Sequence, residues 1–130
     1  GGAVGLGEAI SFMERIGFDK IISLEDELTE YAFDKMKKID HVHIIGADNP
    51  YDHHGILTFK LDDVHPHDIA AIFDEQNVAV RAGHHCAQPL HKHLGLMSTT
   101  RASIAFYNTK DDIDAFIEVL STIRGRMGYA

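Results

Sequence analysis

The sequence has one cysteine, three prolines and no tryptophan in 130 residues. A lone cysteine excludes an internal disulfide framework and is compatible with a reducing compartment. No apolar run approaches the roughly 20 residues of a membrane-spanning helix, and the N-terminus lacks the pattern of a signal peptide. Basic side chains are also scarce, because 12 against 20 acidic ones give a formal net charge of −8. We therefore expect a cytoplasmic protein with no membrane or nucleic-acid partner.

The chain lacks internal repeats and Pro/Gly/Ser-rich linkers, so we expect residues 1–130 to form a single domain. Apolar spacing predicts a helix from Leu6 to Gly17 and a second helix capped at Ser23. The pattern then predicts strands at 41–45, 55–61, 78–81 and 100–106, and helices beginning near Pro66, Pro89 and Thr109. This order indicates an α+β fold of two layers, in which a small, mostly antiparallel sheet is covered by helices.

Reactive side chains are concentrated at residues 81–86, Arg-Ala-Gly-His-His-Cys. Arginine and histidine neighbours favour the thiolate form of Cys86, and Gly83 gives the backbone freedom to present it. A lone cysteine is more often a small buried hydrophobe. However, His-His-Cys-Ala-Gln is a poor core segment. We therefore predict that Cys86 is a nucleophile.

Two other interpretations of this segment have less support. A zinc site is one, but adjacent His-His-Cys side chains do not converge easily on one tetrahedral ion. A phosphatase loop is the other, but it needs an arginine where Lys92 stands, and Pro89 interrupts its backbone donors. The potential metal ligands considered were His84, His85, Cys86, His91 and His93. We expect no metal here.

Arg101 lies on the predicted strand 100–106, on the face opposite Ala102, Ile104 and Phe106. A planar guanidinium in that position is suited to holding a carboxylate bidentately. A surface ion pair is an equally open interpretation at this point. Arg101 is thus a candidate ligand for an acidic substrate.

Residues 81–90, Arg-Ala-Gly-His-His-Cys-Ala-Gln-Pro-Leu, together with the Arg-Ala-Ser strand at 101–103, resemble the SUF-type (group II) cysteine desulfurases. These are pyridoxal-phosphate enzymes of the class V aminotransferase group. The resemblance extends to residues 1–7, which are similar to the family's Gly-Gly-x-x-Gly-Leu-Gly, and to its closing helix at 113–120. It implies the small C-terminal domain of a fold-type I enzyme, without the large domain.

The resemblance also implies roles for individual residues. Cys86 takes the sulfur of L-cysteine as a persulfide, leaving L-alanine, and Arg101 binds the substrate carboxylate. Arg81, His84 and His85 support the active-site loop. None of the seven lysines lies in the family's Ser-x-His-Lys context. We therefore expect pyridoxal phosphate to be bound by the absent domain, no cofactor-binding residue in this chain, and little activity from the chain alone.

Partners follow from the same resemblance. The family works as a homodimer and passes its sulfur to an acceptor of the SUF system, SufU- or SufE-like, for iron–sulfur cluster assembly. Residues 63–68, Asp-Val-His-Pro-His-Asp, resemble members whose acceptor is a zinc protein, and His67 matches the histidine that contacts it. Three alternatives stay open: a selenocysteine lyase of the same family, a stand-alone sulfur-carrier module, and a structural domain in which Cys86 is buried and inert.

Overall fold

The computed structural model describes residues 1–129 as five α-helices, a short 3₁₀ helix and four strands. In chain order these are α1 (Gly2–Ile16), α2 (Phe18–Met36), β1 (Val42–Ile45), the 3₁₀ helix (Pro50–Asp52), β2 (Ile56–Leu61), α3 (Pro66–Glu75), β3 (Arg81–Gly83), α4 (Gln88–His93), β4 (Thr99–Ser103) and α5 (Lys110–Arg126). Over these residues no helix is both long and apolar enough to cross a membrane.

The four strands form one sheet in the order β1-β2-β4-β3, and every neighbouring pair is antiparallel. Alternate residues of β2, Leu57, Phe59 and Leu61, are buried on one face. Helices α2, α3 and α5 cover that face: α5 contacts both α2 and α3, α2 packs against β2, and α3 packs against β3 and β4. The predicted α+β fold, a small antiparallel sheet covered by helices, is confirmed.

Aromatic rings hold the centre of the helix layer to the sheet. Phe73 of α3 stacks on Phe116 of α5, with ring centroids 5.0 Å apart, and Phe59 of β2 meets Phe116 edge-on at 6.0 Å. Phe59 and Phe73 are fully buried. Since offset and edge-on pairs are the favoured aromatic geometries, these three rings fix the position of both helices over the sheet.

The first two helices differ in their bounds from the prediction. Helix α1 begins at Gly2 rather than near Leu6, and none of its residues is buried. It ends at Gly17 as predicted, because Gly17 has a φ of +93°, a backbone conformation that favours glycine. The predicted cap at Ser23 is wrong. Helix α2 already begins at Phe18, so Ser23 lies within it.

The later helices begin where the sequence predicts. Pro66 occupies the first turn of α3, and the ring of His65 accepts a hydrogen bond from the backbone N–H of His67. Helix α5 has a full capping box. The Thr109 hydroxyl accepts from the Asp112 N–H at 3.3 Å, and the Asp112 carboxylate accepts from the Thr109 N–H at 2.8 Å.

Two strands are displaced from their predicted positions. Strand β3 is Arg81–Gly83 rather than 78–81, and β4 ends at Ser103 rather than continuing to 106. Beyond Ser103, the Ile104 N–H donates to the Gly55 carbonyl at 2.7 Å and the Phe106 N–H to the Glu25 carboxylate at 3.2 Å. These bonds to a loop and to α2 replace the β-ladder, so the strand stops.

Candidate active site

Two arginines face each other at the edge of the sheet. The β3–β4 register places Arg81 directly opposite Arg101, on the face opposite buried Ala102. The predicted orientation of Arg101 relative to Ala102 is therefore confirmed. Like charges directly opposite on neighbouring strands are destabilising, and Arg101 Nε is buried without a hydrogen-bond partner. The pair consequently suits an anionic group such as a carboxylate.

The chain turns sharply after β3 and presents the thiol at the turn. The Ala87 N–H donates to the His84 carbonyl at 2.8 Å, and the two residues between them, His85 and Cys86, have φ angles of +54° and +61°. Positive φ at non-glycine residues costs on the order of 1 kcal/mol or more each and persists only where surrounding contacts hold it. Such strain is concentrated at functional sites. Cys86 is exposed, so the alternative of a buried cysteine is wrong.

The contact of Cys86 with Arg81 has a chemical consequence. Arg81 Nη2 donates to Cys86 Sγ at 3.6 Å. The thiolate is the nucleophilic form of cysteine, and an arginine N–H is a donor that a charged sulfur accepts. Arg81 thus has two neighbours in this site, the thiol through its side chain and Arg101 through the strand register. The arrangement places an exposed thiol, with an arginine donor at its sulfur, beside an anion-binding pair.

Three further side chains close the inner side of the site. The hydroxyl of Thr99 lies 3.0 Å from His85 Nε2 and 3.0 Å from His91 Nε2. We call His85, His91 and Thr99 the imidazole relay. Two members of the relay are well shielded from solvent, since Thr99 is fully buried and His91 is 6% exposed, and His85 is partly buried.

The imidazole relay is not predicted from the sequence. No sequence motif marks Thr99 as a site residue, although it precedes Arg101 by two residues and therefore lies on the same face of β4. The sequence identifies His91 only as a potential metal ligand. In the structure its two ring nitrogens contact the Ala87 carbonyl at 3.2 Å and the Thr99 hydroxyl. Within residues 1–129 no group of three His, Cys, Asp or Glu side chains is arranged to hold a metal ion.

His85 lies at the junction of the relay and the arginine pair. Burial is the largest cause that lowers the pKa of His85 below its usual value of 6.5, followed by the positive charges of Arg101, His91 and Arg81. The ring is therefore neutral at neutral pH. Its Nδ1 atom is buried and has no hydrogen-bond partner. Together with Arg101 Nε, this gives the site two unused polar atoms for a ligand.

The other predicted residues lie farther out. His84 is exposed, and its ring meets that of His91 edge-on at 5.5 Å. His67 is exposed in the first turn of α3, with its ring 5.3 Å from that of His65. Among the described residues, no hydrogen bond or ring contact joins His67 to the Cys86 turn. The structure thus brings together Cys86, the arginine pair and His85, with His84 beside them against His91. It leaves His67 on a separate surface.

An exposed thiol beside an anion-binding pair, on a small antiparallel sheet, agrees with the family to which this sequence is similar. The family model described as aminotransferase class-V matches residues 1–116. The chain therefore belongs to the aminotransferase class-V family. A Staphylococcus aureus protein named "Probable cysteine desulfurase" is 52% identical over 128 residues, which is 98% of this chain and 30% of that protein. A Staphylococcus epidermidis protein of the same name is 50% identical over the same shares.

Solved structures agree in fold. The apo structure of a cysteine desulfurase from Thermococcus onnurineus NA1 superposes with a TM-score of 0.90 at 37% identity, over 95% of this chain and 31% of that one. The cysteine desulfurase CsdA from Escherichia coli, in an S-sulfonic acid form, gives 0.85 at 30% identity over 95% of this chain and 30% of that one. The chain thus spans less than a third of the length of these relatives.

The cofactor that this family implies, pyridoxal phosphate, is held through an imine with a neutral lysine amine, and the lysines described here do not suit that role. Hydrogen bonds to Asp114 and Glu27 are the leading causes that raise the pKa values of Lys35 and Lys110, so both amines stay protonated. Lys60 lies 3.5 Å from the Asp62 carboxylate. The remaining lysines, Lys20, Lys37, Lys38 and Lys92, are exposed. No step of the chemistry is therefore assigned to a cofactor bound by these residues.

Proposed function

We propose that this chain is the C-terminal small domain of a longer SUF-type cysteine desulfurase, which converts L-cysteine to L-alanine and receives the sulfur on Cys86. The observation that carries the proposal is the exposed Cys86 thiol, held in a strained turn with Arg81 donating to its sulfur. Two relatives named as probable cysteine desulfurases, similar over 98% of this chain, support the same assignment.

The arginine pair gives the substrate its orientation. The α-carboxylate of L-cysteine binds Arg101, where a buried guanidinium Nε lacks a partner, and Arg81 adds a second positive charge. This charge pairing relieves the repulsion between the two guanidinium groups. Arg81 keeps its contact with Cys86 Sγ, so the substrate carboxylate and the thiol are held side by side.

The sulfur transfer itself is redox-neutral. The Cys86 thiolate attacks the substrate sulfur, an S–S bond forms, and the C–S bond of the substrate breaks. The electron pair of that bond stays on the substrate carbon, which takes a proton, so the products are alanine and a persulfide on Cys86. Pyridoxal phosphate, held by the rest of the polypeptide, supplies the electron sink that this cleavage needs.

Other parts of the proposal concern partners. His84 and His85 shape the loop around Cys86, and His67 contacts an acceptor protein of the SUF system, SufU- or SufE-like, which receives the sulfur for iron–sulfur cluster assembly. The exposure of His67 on α3 is compatible with that contact. We further propose that the full-length protein is a cytoplasmic homodimer.

The decisive experiment uses the native polypeptide that carries this sequence, saturated with pyridoxal phosphate. We expect Cys86→Ser to abolish persulfide on this domain and to reduce alanine formation from L-cysteine to background, because serine cannot form the S–S bond. Ser121→Ala, an exposed substitution on α5, is the matched control and should behave as wild type. Alanine formation at the wild-type rate by Cys86→Ser would contradict the role of Cys86.

A stand-alone sulfur carrier is the second candidate, favoured by a thiol that is exposed without any lysine suited to forming an imine. That function predicts that the 130-residue chain alone accepts sulfur from a persulfide donor and passes it to a thiol. The desulfurase proposal predicts no alanine formation by the isolated chain. Rates of the native polypeptide on cysteine and selenocysteine would separate a desulfurase from a selenocysteine lyase.

A further inference from the structure

The imidazole relay determines where the histidine protons lie. His91 Nδ1 is 3.2 Å from the carbonyl oxygen of Ala87, and a carbonyl accepts but does not donate. His91 Nδ1 must therefore carry the proton. A neutral imidazole has a single N–H, so with that proton on Nδ1 the Nε2 atom of His91 is a bare acceptor.

The next link follows from the single hydroxyl proton of Thr99. His91 Nε2 lies 3.0 Å from Thr99 Oγ1 and, as an acceptor, takes that proton in a hydrogen bond. The hydroxyl then has only lone pairs to offer to His85 Nε2, which is also 3.0 Å away. His85 Nε2 must consequently donate. Burial and the nearby arginines lower the pKa of His85, so the ring has no second proton.

We propose that His91 and Thr99 are positioning residues that hold His85 as the Nε2–H tautomer, so that its bare Nδ1 accepts a hydrogen bond from a ligand in the Cys86 site. The Nδ1 atom of His85 is buried and has no hydrogen-bond partner within the chain. A buried unpaired acceptor is costly unless a ligand or water satisfies it. The His91 ring and the Thr99 hydroxyl thus make His85 an oriented acceptor next to Arg101.

The ligand group must be a proton donor, an ammonium, amine or thiol. That its source is the amino-acid substrate rests on the function proposed above, whereas the tautomer of His85 rests on this chain's own hydrogen bonds. Arg101 offers a donor to a carboxylate and His85 offers an acceptor to an N–H or S–H group. The two together match the two polar ends of a free amino acid.

The test reads the tautomer directly, independently of catalysis. The native polypeptide is labelled with ¹³C,¹⁵N-histidine, and solid-state NMR at pH 8 separates protonated from bare ring nitrogens, with His85→Gln assigning the His85 signals. We expect bare Nδ1 and protonated Nε2 at His85 in the wild type. Protonated Nδ1 at His85 in the wild type would overturn the proposal.

Variants test each link of the relay. Thr99→Val removes the hydroxyl, and His91→Phe keeps a ring but frees the Thr99 proton to donate to His85. Both should abolish the single Nε2–H tautomer, whereas Thr99→Ser should restore it. Thr100→Val makes the same change at the next residue, whose hydroxyl has no hydrogen-bond partner. This variant should leave the tautomer of His85 unchanged. A retained Nε2–H tautomer in both Thr99→Val and His91→Phe would disprove the relay.

Catalysis then gives an independent result. If the proposed function holds, Thr99→Val should lower kcat/KM for alanine formation from L-cysteine about tenfold, as for loss of one hydrogen bond worth about 1.4 kcal/mol, and Thr99→Ser should recover it. Failure of alanine formation in the wild type would refute the desulfurase proposal while leaving the tautomer result standing. An altered tautomer with unchanged kcat and KM would refute the role of Nδ1 as a ligand acceptor.

Discussion

One face of the sheet packs against the hydrophobic core, and the other presents the candidate active site. On one face, Phe59, Phe73 and Phe116 pack helices α3 and α5 onto the strands. On the other, Arg81 and Arg101 stand opposite each other beside an exposed thiol, with like charges adjacent and residues at positive φ. The first arrangement lowers the energy of the fold and the second raises it. The stabilising face therefore makes the strained one tolerable, and substitutions should affect the two separately.

The largest effect is expected on the core face. Phe73→Ala removes a fully buried ring that stacks on Phe116 and should lower the free energy of unfolding by about 3–5 kcal/mol. Urea unfolding followed by circular dichroism measures this. Phe18→Ala, at a half-exposed ring on α2, is the control and should change it by less than about 0.5 kcal/mol. Equal losses in the two variants would contradict the assigned core.

The next effect is expected on the opposite face. Arg101→Gln in the native polypeptide removes the charged donor proposed for the substrate carboxylate, worth about 1.5–3 kcal/mol, so KM for L-cysteine should rise about 10- to 100-fold. Stability should not fall, because the repulsion from Arg81 is relieved. Arg126→Gln, exposed at the end of α5, is the control. An unchanged KM in Arg101→Gln would refute carboxylate binding.

A smaller effect is expected at the start of α5, outside both faces. Thr109→Ala removes the hydroxyl that accepts from the Asp112 N–H and should lower the free energy of unfolding by about 0.5–2 kcal/mol. Thr109→Ser retains the hydroxyl acceptor, so its free energy of unfolding should be close to that of the wild type. Kinetic constants for L-cysteine should be unchanged in both variants. A change in KM would show that the two faces are coupled through α5.

The smallest effect concerns His85 and pH. Its pKa in the folded protein is lowered by burial and by the arginines, so the unfolded chain binds a proton more readily below pH 6.5. Acidification through that range down to the folded pKa should therefore destabilise the wild type. His85→Gln should lose this part of the pH dependence. Urea unfolding at a series of pH values measures the difference, and parallel curves for the two proteins would contradict it.

Several features of the fold could be predicted because they depend on neighbouring residues alone. The capping box at Thr109, the proline start of α3 and the glycine end of α1 are local patterns, and all three are present. The end of β4 could not be predicted, because it depends on bonds from Ile104 to Gly55 and from Phe106 to Glu25. Those partners are distant in sequence, and no local periodicity reveals them.

The same division holds in the site. The sequence alone determined that a thiol follows an arginine by five residues and that a second arginine alternates with buried Ala102, because strand periodicity orients side chains. Only the tertiary structure decided that Arg81 lies opposite Arg101 and that Thr99 bridges His85 and His91. Strand register and the packing of α4 set those contacts, because they depend on how separate elements meet.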